Sequence, residues 1–201
     1  MATDSYKTIA RAAETTNRQL SSKFLVFAYP VETEAEIKSH LDALRKQWFD
    51  ATHHCYAWRL GAHGELSRAN DDGEPSSTAG KPILGQLLSH EVTNCLVVVV
   101  RYFGGTKLGV PGLIAAYKES TALVLAECEI VERTVDVEFE VSFSYVVMND
   151  VMRIVKEMQP RIKSQEFDNL CRMRLAIRES ESEQLIGRLS KVEGATIDIL
   201  P

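Results

Sequence analysis

Apolar positions along this chain follow two periods, and the change from one to the other marks its elements. Val97 to Val100 is an unbroken β-branched run within 95–103, the signature of a strand covered on both faces. Ile37, Leu41, Leu44 and Trp48 recur at helical spacing and predict a helix over 34–49, with Thr33 as its N-cap. Strands are expected at 6–10 (which also fits a frayed helix) and at 20–30. His53–Leu60 and Glu65–Ala69 flank Gly61-Ala62-His63-Gly64 and read as a hairpin. Residues 70–77 are turn chemistry, after which Thr78 is expected to open a helix through His90, with Pro82 in its first turn. A long helix at about 107–127 follows the valine strand.

Past residue 130 the pattern is simpler. Thr134–Phe143 alternates apolar and acidic positions, as a half-buried strand does. An amphipathic helix over 145–158 stops at Pro160, a hairpin turns over Asp168-Asn169, a helix at 180–192 ends at Gly194, and 195–199 is a last strand. The order β-α-β-β-α-β is that of a ferredoxin-like domain. The chain therefore reads as an α+β protein of two domains, 1–130 and 131–201.

Three stretches carry candidate chemistry. In Arg101-Tyr102-Phe103-Gly104-Gly105-Thr106-Lys107-Leu108-Gly109, a strand end, a glycine turn and a helix start come together. Backbone N–H groups from Gly104 to Gly109, the Lys107 ammonium and the Arg101 guanidinium would hold a phosphate, although no Walker sequence is present. A purely structural turn is the alternative. In Asp71-Asp72-Gly73-Glu74-Pro75-Ser76-Ser77-Thr78-Ala79-Gly80-Lys81, three carboxylates lie within four residues and repel one another unless something offsets them. A turn with Thr78 as helix cap, a hard cation and a charged partner each account for them, and 78–81 would form a second anion pocket. On the strand beginning at His53, alternation puts His53 and Cys55 on one face and His54 and Tyr56 on the other. Cys55 is expected as a buried small thiol, whereas His53 needs a polar partner. In the second half Arg172, Arg174 and Arg178 share one strand face, either solvated or in contact with RNA or protein.

Composition narrows the classes. Of the 201 residues 45% are apolar, ample for cores of this size, and the net charge of −5 argues against sequence-independent binding of nucleic acid by the chain as a whole. Neither half is basic: 14 basic and 16 acidic residues run to Arg133, with 9 and 12 beyond it. No signal peptide or membrane span is read, and the four scattered cysteines suggest reduced thiols and a cytoplasmic location. No cofactor is implied.

Four stretches in order resemble the IMPACT family and its bacterial YigZ-type members. They are Ser22-Lys23-Phe24, Ala51-x-His53-x-Cys55-Tyr56-Ala57-Trp58, Asp71-Asp72-Gly73-Glu74-Pro75-x-x-Thr78-Ala79-Gly80-x-Pro82, and Val100-Arg101-Tyr102-Phe103-Gly104-Gly105-x-x-Leu108-Gly109-x-x-Gly112-Leu113. The resemblance implies an N-terminal fold of the type shared by a ribosomal small-subunit protein domain and elongation factor G domain IV. It also implies a second domain similar to elongation factor G domain V. Eukaryotic members regulate translation largely through an additional N-terminal domain that these residues do not include, so that role does not carry over. The family pattern has glycine where Ser77 and Pro111 stand here, and often a basic residue at the position of Ala115.

The leading expectation is a non-enzymatic binding protein acting around translation, with RNA, ribosome or a ribosome-bound protein as partner. Its contact surface would be Lys23, Lys81, Arg101, Lys107 and Lys118 around the glycine turn. The rival is an enzyme or regulator of a small phosphorylated ligand or nucleotide, with His53, Asp71, Asp72 and Glu74 facing that turn. A regulatory adaptor using the acidic turn is a third. The relative positions of His53, Asp72 and Arg101 decide whether a site exists at all.

Overall fold

The structure, a computed structural model, describes residues 4–200. Mixed α and β elements divide into two compact units, Tyr6–Arg133 and the residues from Thr134 onward together with 4–5.

The first unit holds β1 (Ser5–Ile9) and β7 (Ile130–Thr134), apart from their end residues Ser5 and Thr134, and the two strands pair. The main sheet has five antiparallel strands: β2 (Ala13–Gln19), β3 (Ser22–Pro30), β4 (His53–Leu60), β5 (Leu66–Asn70) and β6 (Cys95–Tyr102). They stand in the order β2-β3-β6-β4-β5. The valine run is thus the central strand. Its odd positions Cys95, Val97 and Val99 pack under α2 (Gly80–Ser89) and α3 (Gly109–Glu127), while Leu96, Val98 and Val100 pack under α1 (Glu34–Gln47). Coverage on both faces is what the unbroken β-branched run requires. Thr33 caps α1 as expected, in a capping box with Glu36.

Two expectations need correction. The strand expected at 20–30 begins two residues later, at Ser22: Leu20, with φ +52, and Ser21 make a tight turn between β2 and β3. Thr78 does not cap α2. Ala79 holds the N-cap position without a side-chain bond, and the Thr78 hydroxyl donates to the Pro75 carbonyl at 2.6 Å. The capping oxygen comes instead from Asp71, described below.

The second unit holds β8 (Asp136–Phe143), a short 3₁₀ turn, α4 (Met148–Met158), β9 (Arg161–Phe167), β10 (Cys171–Arg178), α5 (Glu179–Leu189) and β11 (Thr196–Ile199). Its four antiparallel strands stand in the order β11-β8-β10-β9. Phe139, Val141, Phe143, Met173 and Leu175 face the helices and form the core with Val151, Ile154 and Leu185. The opposite face exposes Arg172, Arg174 and Arg178. Acids interleave there: Glu140 accepts from Arg174 at 3.1 Å, Glu138 pairs with Lys163 at 2.9 Å, and Asp136 pairs with Arg161.

A buried polar network beneath the glycine turn

The site begins with strand register. Because β4 and β6 are antiparallel neighbours, His53 lies directly opposite Arg101. Both belong to the sheet face covered by α2 and α3, the face that also carries Cys55 and Val99. The loop between β5 and α2 folds over these groups. Its path needs left-handed backbone at Asp72 (φ +41), Gly73 (φ +86) and Ser77 (φ +65).

That path sends the three carboxylates to three different tasks, which removes the repulsion their spacing implied. Asp71 turns toward the start of α2, where its Oδ1 accepts from the N–H groups of Ala79 (3.0 Å) and Gly80 (2.8 Å). Its Oδ2 accepts from Ser77 N–H at 2.8 Å. Of the 78–81 amides expected to form a second anion pocket, those of Ala79 and Gly80 are therefore filled by the chain's own carboxylate, and that of Thr78 by the Pro75 carbonyl. Burial acts to raise the Asp71 pKa, but the three N–H donors and the charge of Lys81 outweigh it and hold the carboxyl below its ordinary value. Asp72 accepts from the His54 N–H at 2.6 Å through Oδ2, and its carbonyl lies 2.8 Å from His53 Nδ1. Since a carbonyl only accepts, that contact assigns the proton to Nδ1.

Glu74 goes inward. Its Oε1 accepts from Arg101 Nη1 at 2.5 Å and from the Tyr117 hydroxyl at 2.7 Å, and lies 3.8 Å from His53 Nε2. Arg101 Nη2 donates to Ser22 Oγ at 3.2 Å, while its Nε is buried without a partner. The guanidinium carbon lies over the rings of Phe24 and Phe103, at 5.5 and 5.6 Å from their centroids. The Cys55 thiol is 3.0 Å from the Asp71 carbonyl and 3.3 Å from the Tyr117 hydroxyl. Burial pushes the pKa of both Cys55 and Tyr117 up, so each keeps its proton at neutral pH, and Cys55 is not poised as a nucleophile.

While Asp71 and Thr78 bond within the loop and to the start of α2, His53, Asp72 and Arg101 thus converge, together with Glu74. They converge on one another, and Arg101 is bound by its own chain's Glu74 rather than open as an anion fork. The glycine turn lies just above. Phe103 N–H donates to Thr52 Oγ1 at 3.1 Å, and Gly104 N–H to Ser22 Oγ at 3.4 Å. A Cβ on Gly104 would sit 1.9 Å from the Ser21 carbonyl oxygen, so the close approach this glycine permits is to the β2–β3 turn. Gly105 (φ +87) and Gly109 (φ +69) supply the left-handed positions, and residues 103–107, Lys107 among them, are exposed. Lys81 is also exposed. Tyr102 belongs with the sheet face under α1, and its hydroxyl donates to Asp50 at 2.6 Å.

Ser22 and Tyr117 complete the network, although neither is among the candidate chemical residues that the sequence points to. A phenol on the buried side of an apolar helix must find an acceptor, and that was the available signal for Tyr117. Among the described residues, no group of three or more His, Cys, Asp or Glu is placed to hold a metal ion. No helix among them is long and apolar enough to cross a membrane.

Residues 20–125 match the family model described as the Impact N-terminal domain. IMPACT family member YvyE of Bacillus subtilis (strain 168) is 32% identical over 195 residues, covering 97% of this chain and 90% of its own. IMPACT family member YigZ of Escherichia coli (strain K12) is 27% identical over 181 residues, 89% of each chain. The crystal structure of a hypothetical protein superposes with TM-score 0.72 and 25% identity over 98% of both chains. With a family model spanning more than half its length and a relative matched almost end to end, this chain belongs to the IMPACT family.

Proposed function

We propose that this protein is a non-enzymatic, translation-associated binding protein that contacts the ribosome through the exposed surface around its glycine turn. The observation that carries this reading is the division of labour beneath that surface. Arg101, Asp71 and Glu74, the groups best suited to catalysis or to a small anion, are engaged within the chain, whereas Phe103 to Lys107 above them stay exposed. Buried side chains tied to one another make a rigid base, and a rigid base presenting an exposed loop is how binding surfaces are commonly built. The family resemblance, with its likeness to elongation factor G domains IV and V, supplies the translational setting, a fold-level analogy.

Co-sedimentation with ribosomes over a series of ionic strengths tests the reading. Pelleting is expected at low salt, to decline as salt rises, and to weaken with Lys107→Ala and Lys23→Ala. Pelleting no greater than that of an acidic control protein at low salt would overturn it. Arg101→Ala is unsuited to this experiment, because it removes a buried partner of Glu74 and so reports on folding.

A further inference from the structure

We infer that Phe103 is a stacking platform for an unpaired nucleobase, so that the glycine turn takes single-stranded rather than duplex RNA. This rests on the proposed ribosome contact and names the chemistry that would be recognised there.

Phe103 is 45% exposed, yet it is held from several sides. Its N–H is bound by Thr52, the next N–H by Ser22, and Gly104 is seated on the Ser21 carbonyl. A solvent-facing aromatic on fixed backbone loses little conformational freedom when something stacks on it. Behind it stands Arg101, only 4% exposed and itself fixed by Glu74 and Ser22, with Phe24 beyond. The exposed ring thus has a buried cation 5.6 Å from its centroid. Drawing π density toward a buried guanidinium also favours an electron-rich partner such as a nucleobase.

The chain after the ring fits a nucleotide's other half. Gly105 has open space where a Cβ would stand, so a sugar-phosphate backbone can approach the main chain closely. Lys107 follows as an exposed cation for phosphate. Base faces are stacked away inside A-form duplex and become available only in loops, bulges and single strands.

The test measures fluorescence anisotropy of a labelled 12-nucleotide RNA against the wild-type protein, Phe103→Ala, Phe103→Leu and Phe103→Tyr, alongside the same RNA annealed to its complement. Circular dichroism checks that each variant is folded, and ribosome co-sedimentation is run on the same samples. The expected result is single-strand binding at least tenfold tighter than duplex binding, about tenfold or greater loss in the alanine and leucine variants, and retention in the tyrosine variant. Equal binding of single strand and duplex, or a leucine variant binding like wild type, would overturn the inference. Ribosome pelleting by the wild type without affinity for the single-stranded RNA would overturn the stacking role alone and leave a protein or duplex contact in its place. Failure of the wild type to pellet with ribosomes would remove the reading beneath it as well.

Discussion

Arg101, at the end of the central strand, and Glu74, 27 residues earlier in an irregular loop, meet at 2.5 Å with only 4% and 9% of their surfaces exposed. Removing one partner of such a pair strands the other charge in a desolvated site, a loss of about 3–5 kcal/mol. Glu74→Ala and Arg101→Ala should each lower the thermal midpoint substantially. The double variant Glu74→Ala with Arg101→Ala should be less destabilised than the sum of the two single variants, because it leaves no orphaned charge. Thermal denaturation of all three checks this, and simple additivity would count against a coupled pair.

Asp71 gives the structure a pH dependence of defined sign. Its carboxyl titrates below the ordinary range in the folded chain and returns to that range when unfolding removes the Ser77, Gly80 and Ala79 donors. A depressed folded-state pKa contributes stability that is present above the unfolded value and is lost as pH falls through the folded one. Asp71→Asn should therefore melt below wild type at pH 7, and the gap should narrow as pH falls below about 4. Melting curves at the two pH values decide it; an unchanged gap would place the effect outside this carboxylate.

Ser77 occupies a left-handed position at φ +65. An L-residue there carries steric cost that glycine avoids, partly offset by glycine's greater freedom in the unfolded chain. The Ser77 N–H to Asp71 is a backbone bond and survives substitution. Ser77→Gly is expected to stabilise by about 0.5 kcal/mol, read as a rise in urea midpoint at constant m-value.

The two adjacent glycines of the turn should respond differently to alanine. At Gly104 the new methyl would collide with backbone of the β2–β3 turn, so the loop must move. At Gly105 the space is open and only the φ of +87 is strained, at about 1 kcal/mol. Gly104→Ala should be the more destabilising of the pair in thermal melts. Equal effects would mean that the turn does not rest on Ser21.

Local signals made most elements legible. The β-branched run gave the central strand and its two-sided burial, and the heptad-like spacing of Ile37, Leu41 and Leu44 gave α1. Strand β2 escaped because an edge strand with alternating exposure, AETTNRQ, carries no apolar stripe. Thr78 has the residue type and position of a local cap, but the capping oxygen comes from Asp71, eight residues before Ala79, a distance no local pattern spans. The meeting of His53, Asp72 and Arg101 was a question the sequence posed; its answer lay in the register of β4 against β6, which no local pattern encodes. Arg101 looked like an open fork for the same reason, since its partner is chosen by the fold of a distant loop.

Ser22 Oγ touches both the Arg101 guanidinium and the Gly104 amide, and Thr52 Oγ1 holds the N–H of Phe103, the residue just before that glycine. The turn therefore draws its shape from a hairpin near the start of the unit, from the residue that precedes β4, and from a guanidinium steadied by a fourth segment. A peptide cut out around residues 98–117 would carry the motif's letters without its form, and during synthesis the loop stays shapeless until strands far apart in sequence have joined.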